Sequence, residues 1–474
     1  MSRALRVAWL CALLCGCAVG PDYERPALVT PPTFRDAPER QESIADLPWW
    51  EVFGDETLQS LVRESLEKNR DLATAVADVE RSRDAAAVQR GELFPDIGYS
   101  GTGSRGKKVI LDTPDPAAVN ARSVYAGVLN ASWEIDLWGR IRRATESSKA
   151  DMLANDAVRR GVVLSLVTDV ARAYLELREL DLELEITRRN VESFQRMHDL
   201  FARQFAGGVV SKLDPLRAEA ALAQAAATVP EIERRIVAKE NQLCVLLGRP
   251  PGPIPRGAQL LEVTPPPEVP AGVPAQILER RPDLLEAEQA DVAANADIGV
   301  AFADFFPRIG LTAIYGSATT DLNEFLEAGT GAWSRAVALT GPLFTFGRTW
   351  YTWQGAKAGG EAAAAAYQQA VLVALADVSN ALTARDKITA QRASLERQVT
   401  ALAEAVRLAE KRYLGGLSTY LEVLDAQQQL FPAELALAQA QRNERLVIVD
   451  LYRALGGGWS QAGDQPTIPQ PIAP

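Results

Sequence analysis

Two long stretches of the chain place apolar residues at alternating spacings of four and three, which is the pattern of a coiled-coil seam. Ten of twelve seam positions are apolar between residues 166 and 205, and ten of twelve between residues 374 and 413. The first stretch predicts one helix over residues 139–206, which would be about 100 Å long at the helical rise. Shorter helices are predicted over residues 57–93, 209–247, 275–305 and 417–455.

The chain also contains an internal duplication. Phe94-Pro95 recurs in the second half as Phe306-Pro307, and Gly207-Gly208 recurs as Gly415-Gly416. The spacing between the copies is constant on each side of one loop, so each half repeats one plan of helix, two strands, long helix, turn and helix. The other recurring motifs are Asp71-Leu72 with Asp283-Leu284, Trp138-Gly139-Arg140 with Phe346-Gly347-Arg348, and Leu247-Gly248 with Leu455-Gly456.

Between the predicted helices, apolar residues alternate with small or polar ones, which predicts two strands within residues 96–134 and two within residues 308–345. Strands of about ten residues can cross a bilayer when they tilt. Outward aromatic residues suit its interfaces. The aromatic residues expected there are Tyr125, Trp133, Tyr315 and Trp333.

The number of strands in one chain indicates how many chains a membrane barrel would need. Open sheet edges are not tolerated in hydrocarbon, and the smallest membrane barrels have about eight strands, so one chain with four strands cannot span the membrane alone. Three chains would supply twelve strands and, beneath them, twelve helical columns. The strands would otherwise form a soluble subdomain of a coiled-coil protein. A membrane helix is not expected, because no apolar run near eighteen residues follows the first segment.

Composition excludes several classes of function. The net charge is −11 and Lys and Arg do not cluster, so nucleic acid is not an expected partner. The chain has one His, His198, and four Cys, of which three lie in the first seventeen residues. These numbers predict no disulfide framework, no metal site and no cofactor. No catalytic motif is found, so the chain is not expected to be an enzyme and a partner must supply the energy for transport.

The N-terminus has the layout of an export signal. Arg3 and Arg6 precede an apolar run that is too short for a membrane helix, and small residues follow it directly before Cys17. The segment Leu14-Cys15-Gly16-Cys17 resembles a bacterial lipobox, in which the last Cys is acylated and becomes the first residue of the mature chain. Ala18, rather than Asp, follows it, which by resemblance to lipoprotein sorting favours the outer membrane.

Several motifs in order resemble the outer membrane factor family, the TolC-like channels of tripartite efflux pumps, and in particular its lipoprotein branch. The likeness runs from about Cys17 to Trp459 and implies a mostly helical protein with a membrane β-domain, built as a trimer with a twelve-stranded barrel and a periplasmic tunnel. The motifs are Cys17-Ala-Val-Gly-Pro-Asp-Tyr-Glu-Arg-Pro26, Trp49-Trp50 with Phe53, Asn69-Arg70-Asp71-Leu72, Arg280-Arg281-Pro282-Asp283-Leu284 and Phe305-Phe306-Pro307.

The resulting division of the chain has six parts. A signal peptide (1–16) precedes a lipid-anchored strap (17–56), and a Pro-rich linker (249–274) separates the first repeat (57–248) from the second (275–456). A tail (457–474) follows. The family resemblance implies that the strap, the linker and the tail form an equatorial girdle.

The resemblance also implies candidate functional residues. The glycine pairs Gly207-Gly208 and Gly415-Gly416 would form the periplasmic hairpin tips where a membrane-fusion adaptor docks, although a helix reversal needs glycine with or without a partner. The periplasmic aperture would be lined by residues near the second tip and by one counterpart in the first half. Ser418 stands where some relatives have a gate-linking Arg, so this chain does not have the arginine of that lock. The aperture residues are Tyr413, Leu421, Glu422, Asp425 and Asp214.

The function expected is a passive outer-membrane exit duct, extending into the periplasm, for small molecules delivered by an inner-membrane RND-type pump through the adaptor. Two alternatives remain at this point. The chain could be the duct of a type I protein secretion system, or a periplasmic coiled-coil scaffold that conducts nothing. An acidic ring at the aperture would favour cations, whereas acidic residues at a helix start also occur for purely local reasons.

Overall fold

The computed structural model describes residues 18–28, 31, 54–106, 122–262, 277–325 and 330–457. The predicted signal peptide, Cys17, the Trp49-Trp50 motif, most of the tail and residues 263–276 of the linker lie outside these ranges. The elements are α1 (Glu56–Lys68), α2 (Arg70–Gly91), β1 (Asp96–Gly106), β2 (Arg122–Ile135), α3 (Arg140–Ala206), α4 (Leu213–Leu246), α5 (Ile277–Arg280), α6 (Pro282–Ala303), β3 (Arg308–Thr319), β4 (Gly331–Thr340), α7 (Arg348–Leu414) and α8 (Tyr420–Ala454).

The predicted duplication is confirmed in the structure. The two long helices, α3 and α7, both have 67 residues, and both begin directly after a glycine at positive φ, Gly139 and Gly347. Helices α2 and α6 both have 22 residues. The correspondence found between motifs in the sequence therefore extends to whole elements.

The chain divides into two compact units. Unit 1 consists of residues 1–27, 78–156 and 286–368, and unit 2 of residues 28–77, 157–285 and 369–474. Unit 1 contains an antiparallel sheet in the order β1-β2-β3-β4. Unit 2 is helical, and its core contains much of the predicted α3 seam, including Val170, Ala173 and Leu177, each at most 1% exposed.

Two predicted helices are each broken once. Residues 57–93 form α1 and α2 because Asn69 adopts extended backbone (ψ 135°) between them. Its side chain accepts from Leu72 N at 2.9 Å and donates to Leu246 O at 2.9 Å. The helix predicted over residues 275–305 is interrupted at Arg281, which precedes Pro282, and the proline ring disfavours helical backbone at the residue before it. The predictions of one unbroken helix over residues 57–93 and one over residues 275–305 were therefore wrong.

Other bounds also differ from the predictions. The return helices begin at Leu213 and Tyr420 instead of at residues 209 and 417, because the turn after each glycine pair continues in non-helical backbone. Strand β4 ends at Thr340, before the predicted limit at residue 345. The segment between β4 and α7 is therefore longer than expected.

One helix in the described part of the chain is long and apolar enough to cross a membrane. A window of 18 residues in α7 reaches a mean hydropathy of 1.2, but only 22% of that window is buried. Polar residues interrupt the alanine-rich stretch of α7, so the window meets this criterion through its average hydropathy and not through a continuous apolar run. Length and composition alone do not place α7 in a membrane, since core helices of soluble proteins also meet this criterion.

Candidate functional site

One face of the sheet in unit 1 carries exposed apolar side chains in register. Tyr99 lies opposite Leu129, Leu129 opposite Tyr315, and Tyr315 opposite Trp333, so one row of large residues crosses all four strands. All four are exposed. A soluble sheet would cover such a face, whereas a lipid-facing sheet presents it. Tyr125 and Trp133, predicted to point outward, lie on the same face.

The opposite face of the sheet consists mainly of small and polar residues. Ser100 and Thr102 alternate with the outward residues of β1, and Ser132 lies opposite Thr312 on the same side. An apolar outer face with a polar inner face is the pattern of a membrane barrel that encloses water. Among the residues that the structure describes, strands β1 and β4 have only one neighbour each, so both edges of this sheet are open there.

In unit 2 the two predicted glycine turns have the same hydrogen bonds. Val209 N donates to Gln204 O and Gly208 N to Phe205 O, both at 2.9 Å. Leu417 N donates to Arg412 O at 2.8 Å and Gly416 N to Tyr413 O at 2.9 Å. This pair of bonds defines a Schellman motif, which requires left-handed backbone at one residue.

Only the second glycine of each pair supplies that conformation. Gly208 has φ +72° and Gly416 φ +69°. Gly207 and Gly415 are not among the positive-φ residues, and a Cβ added to either would meet no atom closer than 3.4 Å. The backbone therefore needs one glycine in each turn rather than two.

Three aromatic rings pack directly beside these turns. The ring of Phe201 lies 4.4 Å from Tyr420 and 5.8 Å from Tyr413, measured between centroids. The Tyr413 hydroxyl donates to Gln204 Oε1 at 3.1 Å. Burial raises the pKa of Tyr420 to about 12, so its hydroxyl is neutral at physiological pH. This cluster joins the start of α8 to the ends of α3 and α7.

The other predicted aperture residues surround this cluster. Leu421, Glu422 and Asp425 are exposed on the first turns of α8. Glu422 Oε2 lies 3.6 Å from Arg412 Nε, and Asp425 Oδ2 accepts from Gln429 Nε2 at 2.8 Å. None of the three is buried in the single chain.

The carboxylate of Asp214 interacts electrostatically with the hydroxyl group of Tyr413. Burial raises the pKa of Tyr413, and the negative charge of Asp214 raises it further, whereas the hydrogen bond to Gln204 lowers it. The structure thus brings all five predicted residues to the neighbourhood of the two turns. Tyr420 was not among the predicted aperture residues; its signal would have been an aromatic residue in the first turn of the helix predicted over residues 417–455.

Two polar atoms near the second turn have no partner in the described residues. They are Ser418 Oγ and the Tyr420 hydroxyl oxygen, and both are buried. Ser418 therefore forms no link there of the kind a gate arginine would form. Within the described ranges, no cluster of His, Cys, Asp and Glu could hold a metal ion.

Comparison with known proteins identifies the family. Residues 61–249 and 273–457 match the family described as outer membrane efflux protein. The chain belongs to this family. The match divides at the Pro-rich linker, so each half of the duplication corresponds to one copy of the family pattern.

The relatives agree over nearly the whole chain. The chain is 33% identical to the probable efflux pump outer membrane protein TtgC of Pseudomonas putida, over 98% of this chain and 99% of TtgC. The solved outer-membrane channel OprN has 33% identity and a TM-score of 0.86, covering 94% of this chain and all of that one. The open state of the MtrE channel of Neisseria gonorrhoeae has 33% identity and a TM-score of 0.83, covering 93% of this chain and 98% of MtrE.

These likenesses confirm the predicted family, fold class and main function. The protein is an outer-membrane efflux channel that combines long helices with a membrane β-domain. The exposed apolar face of the sheet is therefore its membrane surface. Cys17 lies outside the described residues, and the roles of the aperture and turn residues remain predictions.

The two glycines of each turn are expected to respond differently to substitution. Gly208→Ala or Gly416→Ala should destabilise the protein by about 1–2 kcal/mol, because an L-residue is disfavoured in left-handed backbone. Gly207→Ala and Gly415→Ala are the matched controls and should leave stability unchanged or slightly increased. Thermal unfolding of the purified variants in detergent measures the difference. Equal losses at both positions of a pair would contradict the assignment.

Proposed function

We propose that three copies of the chain form one passive outer-membrane duct for small molecules. The observation that carries this proposal is the four-stranded sheet, which has an exposed apolar face and, within the described ranges, two open edges. Unpaired backbone groups cost several kcal/mol each in hydrocarbon, so the edges must close on other chains. The number three comes from the outer membrane factor family and gives a barrel of twelve strands.

The long second helix supports the same assembly. Its most apolar window is only 22% buried in the single chain, and Leu372 and Val373 are among its exposed residues. Contiguous exposed apolar surface marks an interaction site in most proteins. In a trimer, helices of the neighbouring copies would cover this surface and complete the wall of a tunnel.

Partners are proposed from the family and from the two turns. A periplasmic membrane-fusion adaptor would dock at the turns that contain Gly208 and Gly416, and an inner-membrane RND-type pump would supply the energy and the substrate. TtgC is itself described as an efflux pump outer membrane protein, which favours this role over protein secretion. The exposed membrane face of the sheet argues against a scaffold that conducts nothing.

The aperture would lie where threefold symmetry brings the acidic residues together. Glu422 and Asp425 are exposed near the start of α8. Three copies would place three carboxylates of each kind around one axis, with Asp214 nearby. Such rings attract cations and repel anions. Tyr413 and Leu421 would narrow the same opening.

Selectivity of the open pore tests the acidic ring and the duct together. In planar bilayers with a salt gradient, the wild-type trimer should conduct and favour cations, and Asp425→Asn should move the permeability ratio towards unity. The variant keeps an oxygen that can accept from Gln429, so the local structure is preserved. Asp425→Glu is the matched control and should retain the selectivity. Absence of pores would contradict the duct, whereas unchanged selectivity in Asp425→Asn would contradict only the ring.

Lipid attachment at Cys17 is proposed from the lipobox and from the segment that follows it. Val19 N donates to Trp138 O at 3.0 Å, and Arg143 Nη2 donates to Asp22 Oδ1 at 2.7 Å. A Cβ added to Gly139 would lie 2.6 Å from Ala18 Cα. Ala18 thus lies against the turn that follows β2, so acyl chains on Cys17 would enter the bilayer beside the sheet.

The mass of the mature chain tests this anchor. Intact-mass analysis should show a chain that begins at Cys17 and carries acyl groups, and Cys17→Ser behind a cleavable signal should remove them. The variant should still form trimers, because the sheet rather than the lipid holds the protein in the membrane. A soluble monomer from Cys17→Ser would contradict that last point, and an unmodified wild-type Cys17 would contradict the anchor itself.

A further inference from the structure

The membrane face of the sheet in unit 1 contains a groove between two rows of large side chains. Ala131 lies opposite Ala313, so the two middle strands carry only methyl groups at this level. Side chains two residues away along each strand point to the same face. The row nearer the β3–β4 loop therefore contains Tyr315, and the row nearer the helices contains Leu311. The groove between these rows has a volume of about 470 Å³.

The two ends of the groove differ in chemistry. At the β1 end, Ile97 lies opposite Ala131 and is 73% exposed. At the β4 end, Arg335 lies opposite Ala313 and is also exposed. The guanidinium carbon of Arg335 lies 5.8 Å from the centre of the Trp333 ring. The groove is thus apolar along its floor and positively charged at one end.

The charge of Arg335 has no acidic partner on this face. Among the described residues it forms no salt bridge, and its contact is with the ring of Trp333. A ring face attracts a cation but does not neutralise its charge. A cation on the lipid-facing surface of a barrel is unfavourable unless it reaches the headgroups or pairs with an anion. The groove therefore fits an occupant that combines an apolar chain with an anionic group.

The position of Arg335 along β4 indicates which leaflet supplies this occupant. Strand β4 begins at Gly331, directly after the β3–β4 loop, and ends at Thr340 on the side of α7. The protein extends into the periplasm from its helical side, so the loop lies at the outer end of the sheet. Aromatic residues such as Trp333 mark the membrane interface. Arg335 is two residues from Trp333, about 7 Å along the strand, which an arginine side chain can span to reach the outer headgroups.

We propose that this groove binds the lipid A portion of lipopolysaccharide. Lipid A belongs to the outer leaflet of the outer membrane and carries phosphate groups directly above its acyl chains. One acyl chain would lie on Ala131 and Ala313, and one phosphate would pair with Arg335, since guanidinium groups bind phosphate through two parallel hydrogen bonds. All of these residues belong to unit 1 of one chain. The site is therefore independent of the proposed trimer.

Lipid binding to the purified protein tests the role of the phosphate. Protein freed of lipid in detergent is titrated with bisphosphorylated lipid A, dephosphorylated lipid A or phosphatidylglycerol, and native mass spectrometry counts the bound lipid per chain. The wild type should bind bisphosphorylated lipid A most tightly. Arg335→Gln should weaken that binding by about tenfold or more, because it removes charge-assisted hydrogen bonds. Arg335→Lys is the matched control and should keep most of the affinity.

Filling the groove tests the position of the acyl chain. Ala313→Leu should weaken the binding of both forms of lipid A, because the larger side chain would occupy the floor of the groove. Ala338→Leu is the matched control. It adds the same side chain on the opposite face of the sheet, where Ala338 lies opposite Gly310, and should leave lipid binding unchanged. Thermal unfolding in lipid-free detergent shows which variants are folded, and Ala131→Leu replaces Ala313→Leu if that variant is not.

The outcomes separate the parts of the proposal. Phosphatidylglycerol that binds the wild type as tightly as bisphosphorylated lipid A would overturn lipid A as the occupant. Equal binding of the two forms of lipid A to the wild type would overturn the pairing of phosphate with Arg335. Equal binding by Ala313→Leu and Ala338→Leu would overturn the groove as the site of the acyl chain.

Discussion

The main physical constraint on this structure is the cost of unpaired strand edges when a four-stranded sheet lies in hydrocarbon. Each backbone N–H or C=O without a partner costs several kcal/mol in a bilayer, where no water can replace it. In the described part of the chain, the sheet has an exposed apolar face and one unpaired side on each of β1 and β4. In the proposed trimer, the edges of other copies would supply the missing hydrogen bonds.

The duplication gives a simple way to meet this requirement. Two equivalent hairpins already pair with each other inside the chain, with the rings of Trp138 and Phe306 stacked beneath them. In the proposed trimer, the outer edges of these hairpins would close on those of neighbouring copies. The helices follow the same plan, since α3 and α7 have equal lengths and end in turns with the same hydrogen bonds. One folding unit, used twice in each chain, thus forms both the membrane wall and the proposed tunnel.

The long helices could be predicted from the sequence, because a regular seam over many turns leaves little choice of structure. The residues that interrupt helices were harder. The break at Asn69 depends on a hydrogen bond to Leu246 O, which lies far away in the sequence, whereas the break at Arg281 was readable from Pro282 and was missed. The glycine pairs predicted both turns, but only backbone angles show that Gly208 and Gly416 are the residues the turns need.

Native mass spectrometry of the protein extracted from outer membranes is the most direct measurement of the central claim. It should give a particle of three chains that remains intact in detergent, with no stable folded monomer. A folded monomer that stays in the membrane would contradict the account, because its two open strand edges would then be tolerated in lipid without a partner.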